Sequence, residues 1–123
     1  MLNFQNAMNK FYIRCEAMGI SQKTMTTYRW EFKKFNEYLA MKKIKDVELV
    51  TADDIRGYIA YMRSKGYSPV TIQDRWKGLR TLFKYLHTDG LILFNPIAGI
   101  PKPKVPKIRA RTFTATELQK ILG

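Results

Sequence analysis

Two helix-opening signals 47 positions apart, Ser21 and Ser68, constrain this chain more than any other feature. Ser21 can accept hydrogen bonds from the free amides of an opening turn, and apolar residues then recur at Met25, Tyr28, Phe32, Phe35 and Leu39. Ser68 precedes Pro69, whose fixed φ and missing amide suit the first helical position, and the pattern repeats at Ile72, Trp76, Leu79, Phe83 and Leu86. Steps of three and four define one buried stripe on each of two long helices. Each stripe needs a partner to cover it.

Two more helices supply the cover. The first is expected from about Asn3 to Met18, with Phe4, Met8, Phe11, Cys15 and Met18 in series and Gly19 as its stop. The other opens at Thr51-Ala52-Asp53-Asp54, where acids meet the positive end of the helix dipole, buries Ile55, Tyr58, Ile59 and Met62, and ends near Gly66. The Ser21 helix should reach about Lys42, with a loop near Lys45 to Val50. The Ser68 helix should reach about Thr88 and close at Gly90, after which Leu91-Ile92-Leu93-Phe94 packs back and Asn95-Pro96 turns the chain. No stretch alternates with period two long enough to make a strand. The expected fold is all-α, a four-helix orthogonal or antiparallel bundle joined by short connections.

Composition changes abruptly after residue 100. The run from Pro101 to Arg111 holds three prolines and the cations Lys102, Lys104, Lys107, Arg109 and Arg111, with no acid. Proline stiffens the chain and removes amide donors, so residues 101–112 are expected to be an extended basic linker. Thr114-Ala115-Thr116-Glu117 then reads as another capping box, with Leu118, Ile121 and Leu122 starting a new apolar face. The expected organisation is a helical domain over 1–100, the linker, and over 113–123 the start of a further domain, which makes the chain the front part of a longer protein.

Lys and Arg outnumber Asp and Glu by 22 to 10, a formal charge of +12. An excess of that size strains a compact fold through self-repulsion and makes a polyanion, nucleic acid first, the expected partner. Projection of the Ser21 helix puts Lys23, Thr27, Trp30 and Lys34 on one outer face, and Gln22, Thr26, Arg29 and Lys33 on another. Trp30 is either covered by a neighbouring segment or serves a partner surface. On the Ser68 helix, Gln73, Lys77, Arg80 and Lys84 flank the core as a basic stripe, while Thr71, Arg75 and Gly78 share another face. Glycine in mid-helix weakens it by roughly 0.5–1 kcal/mol, so Gly78 marks either close helix packing or close approach of a DNA backbone. Short polar groups at opening turns with cations further along suit a DNA major groove, the former for base edges and the latter for phosphates.

Other chemistry is not indicated. The single Cys15 excludes an internal disulfide and falls on a core stripe, and the single His87 has no metal-ligating companion at a suitable spacing. His87 reads as a last-turn residue and Asp53-Asp54 as a helix start. There is no phosphate loop or nucleophile elbow, so no cofactor, no metal and no catalysis by this segment alone are expected. The start carries no basic leader, and no apolar run approaches the length of a membrane span, which suggests the cytoplasm.

The ordered set Gly19-Ile20-Ser21-Gln22-Lys23-Thr24 with Tyr28, Thr51-Ala52-Asp53-Asp54-Ile55 with Tyr58, Gly66-Tyr67-Ser68-Pro69-Val70-Thr71-Ile72, Asn95-Pro96 and Thr114 to Leu122 resembles the tyrosine site-specific recombinases of the phage integrase family. The resemblance runs from about residue 5 to the end and is to the core-binding domain, a SAM-like four-helix bundle that grips one side of the recombination site. It implies a prokaryotic, phage or mobile-element source, double-stranded DNA as partner, other recombinase protomers on that DNA, and a monomer for the isolated domain. It also implies DNA contact by Lys23, Thr27, Trp30 and Lys34 on one helix and by Thr71, Arg75 and Gly78 on the other. Arg29, Lys33, Lys77, Arg80 and Lys84 remain phosphate candidates from the projection, and the linker cations would track the backbone between domains. The family cuts DNA with a tyrosine in a following catalytic domain that also carries a His-x-x-Arg step. Here Gly90 stands three residues after His87, so none of the seven tyrosines is read as a nucleophile, and Tyr28, Tyr58 and Tyr85 are read as packing residues. The alternatives are a helical interaction module for an acidic protein or membrane surface, with Trp30 as anchor, and a stand-alone DNA-binding accessory factor.

Overall fold

The computed structural model describes residues 2–106. Four helices, α1 (Phe4–Ala17), α2 (Gln22–Met41), α3 (Ala52–Ser64) and α4 (Pro69–Thr88), are joined by short connections, with one 3-10 turn at Val47–Leu49. Each start follows from its capping side chain. Ser21 Oγ accepts from the Thr24 amide at 3.2 Å, and Ser68 Oγ from the Thr71 amide at 3.1 Å. Thr51 and Asp54 form a reciprocal box, the Thr51 hydroxyl accepting from the Asp54 amide at 3.2 Å and the Asp54 carboxylate from the Thr51 amide at 2.8 Å. Asn3, expected inside the first helix, is its cap and accepts from the Asn6 amide at 2.7 Å.

The ends share one device. After α1, α3 and α4 a glycine (Gly19, Gly66, Gly90) takes positive φ, and the next amide reaches back: Ile20 to the Cys15 carbonyl, Tyr67 to Met62, Leu91 to Leu86. The α2 end repeats the geometry with Ile44 donating to Leu39 at 2.9 Å, but its positive-φ residue is Lys43, at 62°. A lysine there carries strain that glycine would avoid.

Phe35 lies where all four helices meet. Its ring packs edge-on to Phe4 of α1 at 5.4 Å, Tyr58 of α3 at 4.9 Å and Phe83 of α4 at 6.2 Å. A second aromatic group, Phe11 with Tyr28, Phe32 and Tyr85, joins α1 to α2 and α4. Cys15 is buried among these core residues, as its stripe position predicts. Helix α4 touches the other three. Helices α2 and α4 meet through Trp30 with Arg75, Phe32 with Gly78, and Phe35 with Phe83.

The segment after α4 differs in part from expectation. Leu91 and Ile92 turn inward, but Leu93 and Phe94 are each 79% exposed, and the packing back is completed by Ile97 and Ile100. Residues 101–106 carry no regular secondary structure, yet Pro103 is buried and its carbonyl accepts from the Gln73 amide group at 3.0 Å. Gln73 therefore anchors the first part of the proline-rich run and does not extend the basic stripe. The expected helix from Thr114, with Lys107, Arg109 and Arg111, lies outside the described residues.

Candidate nucleic-acid interface

A shallow groove forms between α2 and α4. Thr26, Thr27 and Trp30 line it from α2, and Thr71, Asp74 and Arg75 from α4, with Glu31 on its floor. Thr27 and Thr71 each hold a local hydrogen bond, Thr27 Oγ1 donating to the Lys23 carbonyl at 3.1 Å and Thr71 Oγ1 accepting from Ser68 Oγ at 2.9 Å. Lys23 is exposed on the same face of α2. Lys34 reaches back over the Trp30 ring at 5.2 Å and pairs with Glu37 at 3.7 Å. The face singled out by resemblance, Lys23, Thr27, Trp30 and Lys34, is therefore the one beside α4. Arg29 turns to the α1 side, its guanidinium 4.8 Å from the Tyr12 ring, and Lys33 is exposed.

Two residues expected at DNA are buried instead. Arg75 is 5% exposed, its guanidinium between the Trp30 ring at 4.7 Å and the Tyr67 ring at 4.6 Å, with an N–H donating to the Tyr58 hydroxyl at 3.5 Å. A flat, weakly hydrated cation suits such a stack, and the hydroxyl takes up one of its donors. Trp30 is thus supported on one face by Arg75 while 51% exposed. Gly78 is buried against α2, where an added Cβ would stand 2.6 Å from a Glu31 carboxyl oxygen and 3.6 Å from Phe32. Gly78 thus faces α2 and not a partner.

Glu31 and Asp74 escaped the sequence reading. Burial pushes the Glu31 carboxyl from 4.5 up to about 7; Arg75 opposes the rise and Asp74 adds to it. The available signal was its place on the border of the α2 stripe, three residues after Tyr28 and four before Phe35.

The outer stripe of α4 steps through Val70, Asp74, Lys77, Thr81 and Lys84, all exposed. Beyond it, Arg80 lies over the Trp76 ring at 5.7 Å and joins Lys84 and Lys102 around a hollow floored by Ile97 and Ile100. Arg14, absent from the sequence-based set, extends this basic border from α1, lining a neighbouring hollow with Arg80 and Lys84. Lys104 is exposed. Among the described residues no group of His, Cys, Asp and Glu is placed to hold a metal, and no helix is long and apolar enough to cross a membrane.

The family model for the phage integrase N-terminal SAM-like domain matches residues 10–90. The chain is 29% identical over 120 residues to tyrosine recombinase XerC of Actinobacillus succinogenes, covering 96% of this chain and 40% of that protein. It is 28% identical to tyrosine recombinase XerD of Listeria monocytogenes, covering 85% and 36%. The chain thus spans well under half the length of these relatives. Among solved structures it is similar to the N-terminal domain of a phage integrase/site-specific recombinase from Haloarcula marismortui, with TM-score 0.72, 19% identity, and 85% and 97% of the two chains covered. It is also similar to a lambda integrase(75-356) dimer bound to a COC' core site, with TM-score 0.74, 19% identity, and 96% and 42% covered. Four capped helices around Phe35, the sequence match across α1 to α4 and the shared architecture lead to one conclusion: the chain belongs to the phage integrase family, as its N-terminal SAM-like domain.

Proposed function

We propose that this chain grips duplex DNA as the core-binding domain of a tyrosine recombinase, with preference for particular sequences, during DNA integration or site-specific recombination. The observation that carries the reading is the joint face of α2 and α4. Two neighbouring helices there present threonine hydroxyls, a propped indole and exposed cations on a chain of net charge +12. In this arrangement Lys77, Lys84, Arg80, Lys23 and Lys102 meet phosphates, and Thr27, Thr71 and Trp30 face base edges. Arg75 and Gly78 serve the interface from beneath. The lambda integrase relative with the same architecture was solved on a core site, which supports the reading.

Residues 1–100 form the gripping unit, the linker cations Lys102, Lys104, Lys107, Arg109 and Arg111 follow the backbone, and residues 113–123 begin the catalytic domain. Strand cutting and rejoining, and contacts with further protomers on DNA, belong to the full-length protein, acting in a prokaryotic cytoplasm. The test is duplex affinity as a function of salt. About five neutralised phosphates give a log-log slope of roughly −4 or steeper, and Lys77→Ala should make it shallower by about 1 for every duplex. A slope near zero would refute the proposal.

A further inference from the structure

Resting on the duplex-binding reading, we infer that Asp74 is a specificity-determining residue that accepts a hydrogen bond from the exocyclic amino group of a cytosine in the major groove. Asp74 is the one acid on the outer stripe of α4, standing between Val70 and Lys77, and it borders the groove lined by Thr27 and Thr71. Its carboxylate is exposed and, among the described residues, pairs with no Lys or Arg within 4.0 Å; the ion pairs are Lys34 with Glu37 and Arg56 with Asp53. Its cationic neighbour Arg75 is committed to the Trp30 and Tyr67 rings and the Tyr58 hydroxyl.

An unpaired carboxylate facing phosphates lowers affinity for every duplex. It becomes favourable where it meets a hydrogen-bond donor, and the major groove offers one to an acidic side chain in the cytosine N4 amino group. The hydroxyls beside it can donate or accept and so discriminate little, whereas a carboxylate only accepts. Among the exposed groups of this face, Asp74 is the one that can only accept.

The experiment selects bound sequences from a randomised duplex library with this chain and with Asp74→Asn. Asp74 is exposed, so the substitution leaves the fold intact. The wild-type chain should enrich duplexes with cytosine at one position, with roughly five- to a hundredfold discrimination against thymine there. Asp74→Asn should lose that preference and shift toward adenine, whose edge matches an amide, while preferences at other positions persist. Overturning results are an unchanged motif with tighter binding to all duplexes, which makes Asp74 a repulsive charge only, or no enriched cytosine in the wild type. If the wild type binds duplexes with steep salt dependence but shows no cytosine preference, this inference fails and the duplex-binding reading stands. Absence of duplex binding sinks both.

Discussion

At the scale of single residues, Arg75 and Glu31 show how a helical interface conceals charge. Periodicity placed Arg75 beside Thr71 on an outer face, but the rings that enclose it, Trp30 and Tyr67, come from α2 and from the turn before α4. No local pattern in α4 announces that stack. Glu31 sits beneath Gly78, and its raised carboxyl pKa ties folding to pH. The folded chain keeps a proton there up to about 7, whereas the unfolded chain releases it near 4.5. Between those values the folded state binds more protons, so this group makes stability fall as pH rises and then level off above about 7. Glu31→Gln should remove that slope and exceed the wild type in stability at about pH 8 while differing less at about pH 5. Thermal unfolding of both chains across that range checks it, and parallel pH curves would count against the assignment.

At the scale of elements, most of the fold was legible. The caps at Ser21, Thr51 and Ser68, the Pro69 start and the closing Gly19, Gly66 and Gly90 are local chemistry, and all recur in the structure. Stripes at steps of three and four identified the core because a helix has only one face to bury, apart from Met18, which caps the end of α1 and is exposed. What escaped was long-range: Asn3 as a cap tied to the loop through the Asn3–Asp46 bridge, Gln73 holding Pro103, and the outward turn of Leu93 and Phe94. The α2 end is the exception among the closures, since Lys43 holds a left-handed conformation that suits glycine. Lys43→Gly exchanges that strain for a smaller entropic loss and should stabilise the fold by about 0.5–1 kcal/mol. Denaturant unfolding measures it; a loss of stability would show that the lysine side chain holds the turn in a way its backbone geometry does not require.

At the scale of the whole molecule, Phe35 is the common contact of four helices, and cutting it back leaves a cavity bordered by all of them. Phe35→Ala should cost about 3–5 kcal/mol, a large part of the stability of a domain this size, and blunt the cooperativity of urea unfolding. A loss below about 1 kcal/mol would mean the bundle repacks around the gap. The same packing that centres on Phe35 brings Thr26, Thr27 and Trp30 of α2 beside Thr71, Asp74 and Arg75 of α4. Part of the candidate site was therefore readable in sequence as two sets of polar and cationic residues. Which set faces the groove, and which members are buried, depends on how the helices pack.

The joint face of α2 and α4 is proposed to hold duplex DNA. The most direct test is to follow backbone amide resonances of the chain while duplex DNA is added. The largest shifts should fall on Thr27, Trp30, Thr71, Asp74, Lys77 and Thr81, spread to Lys102, and leave the outer face of α3 unmoved. Shifts concentrated on α3, or none on α2 and α4 at saturating duplex, would contradict it.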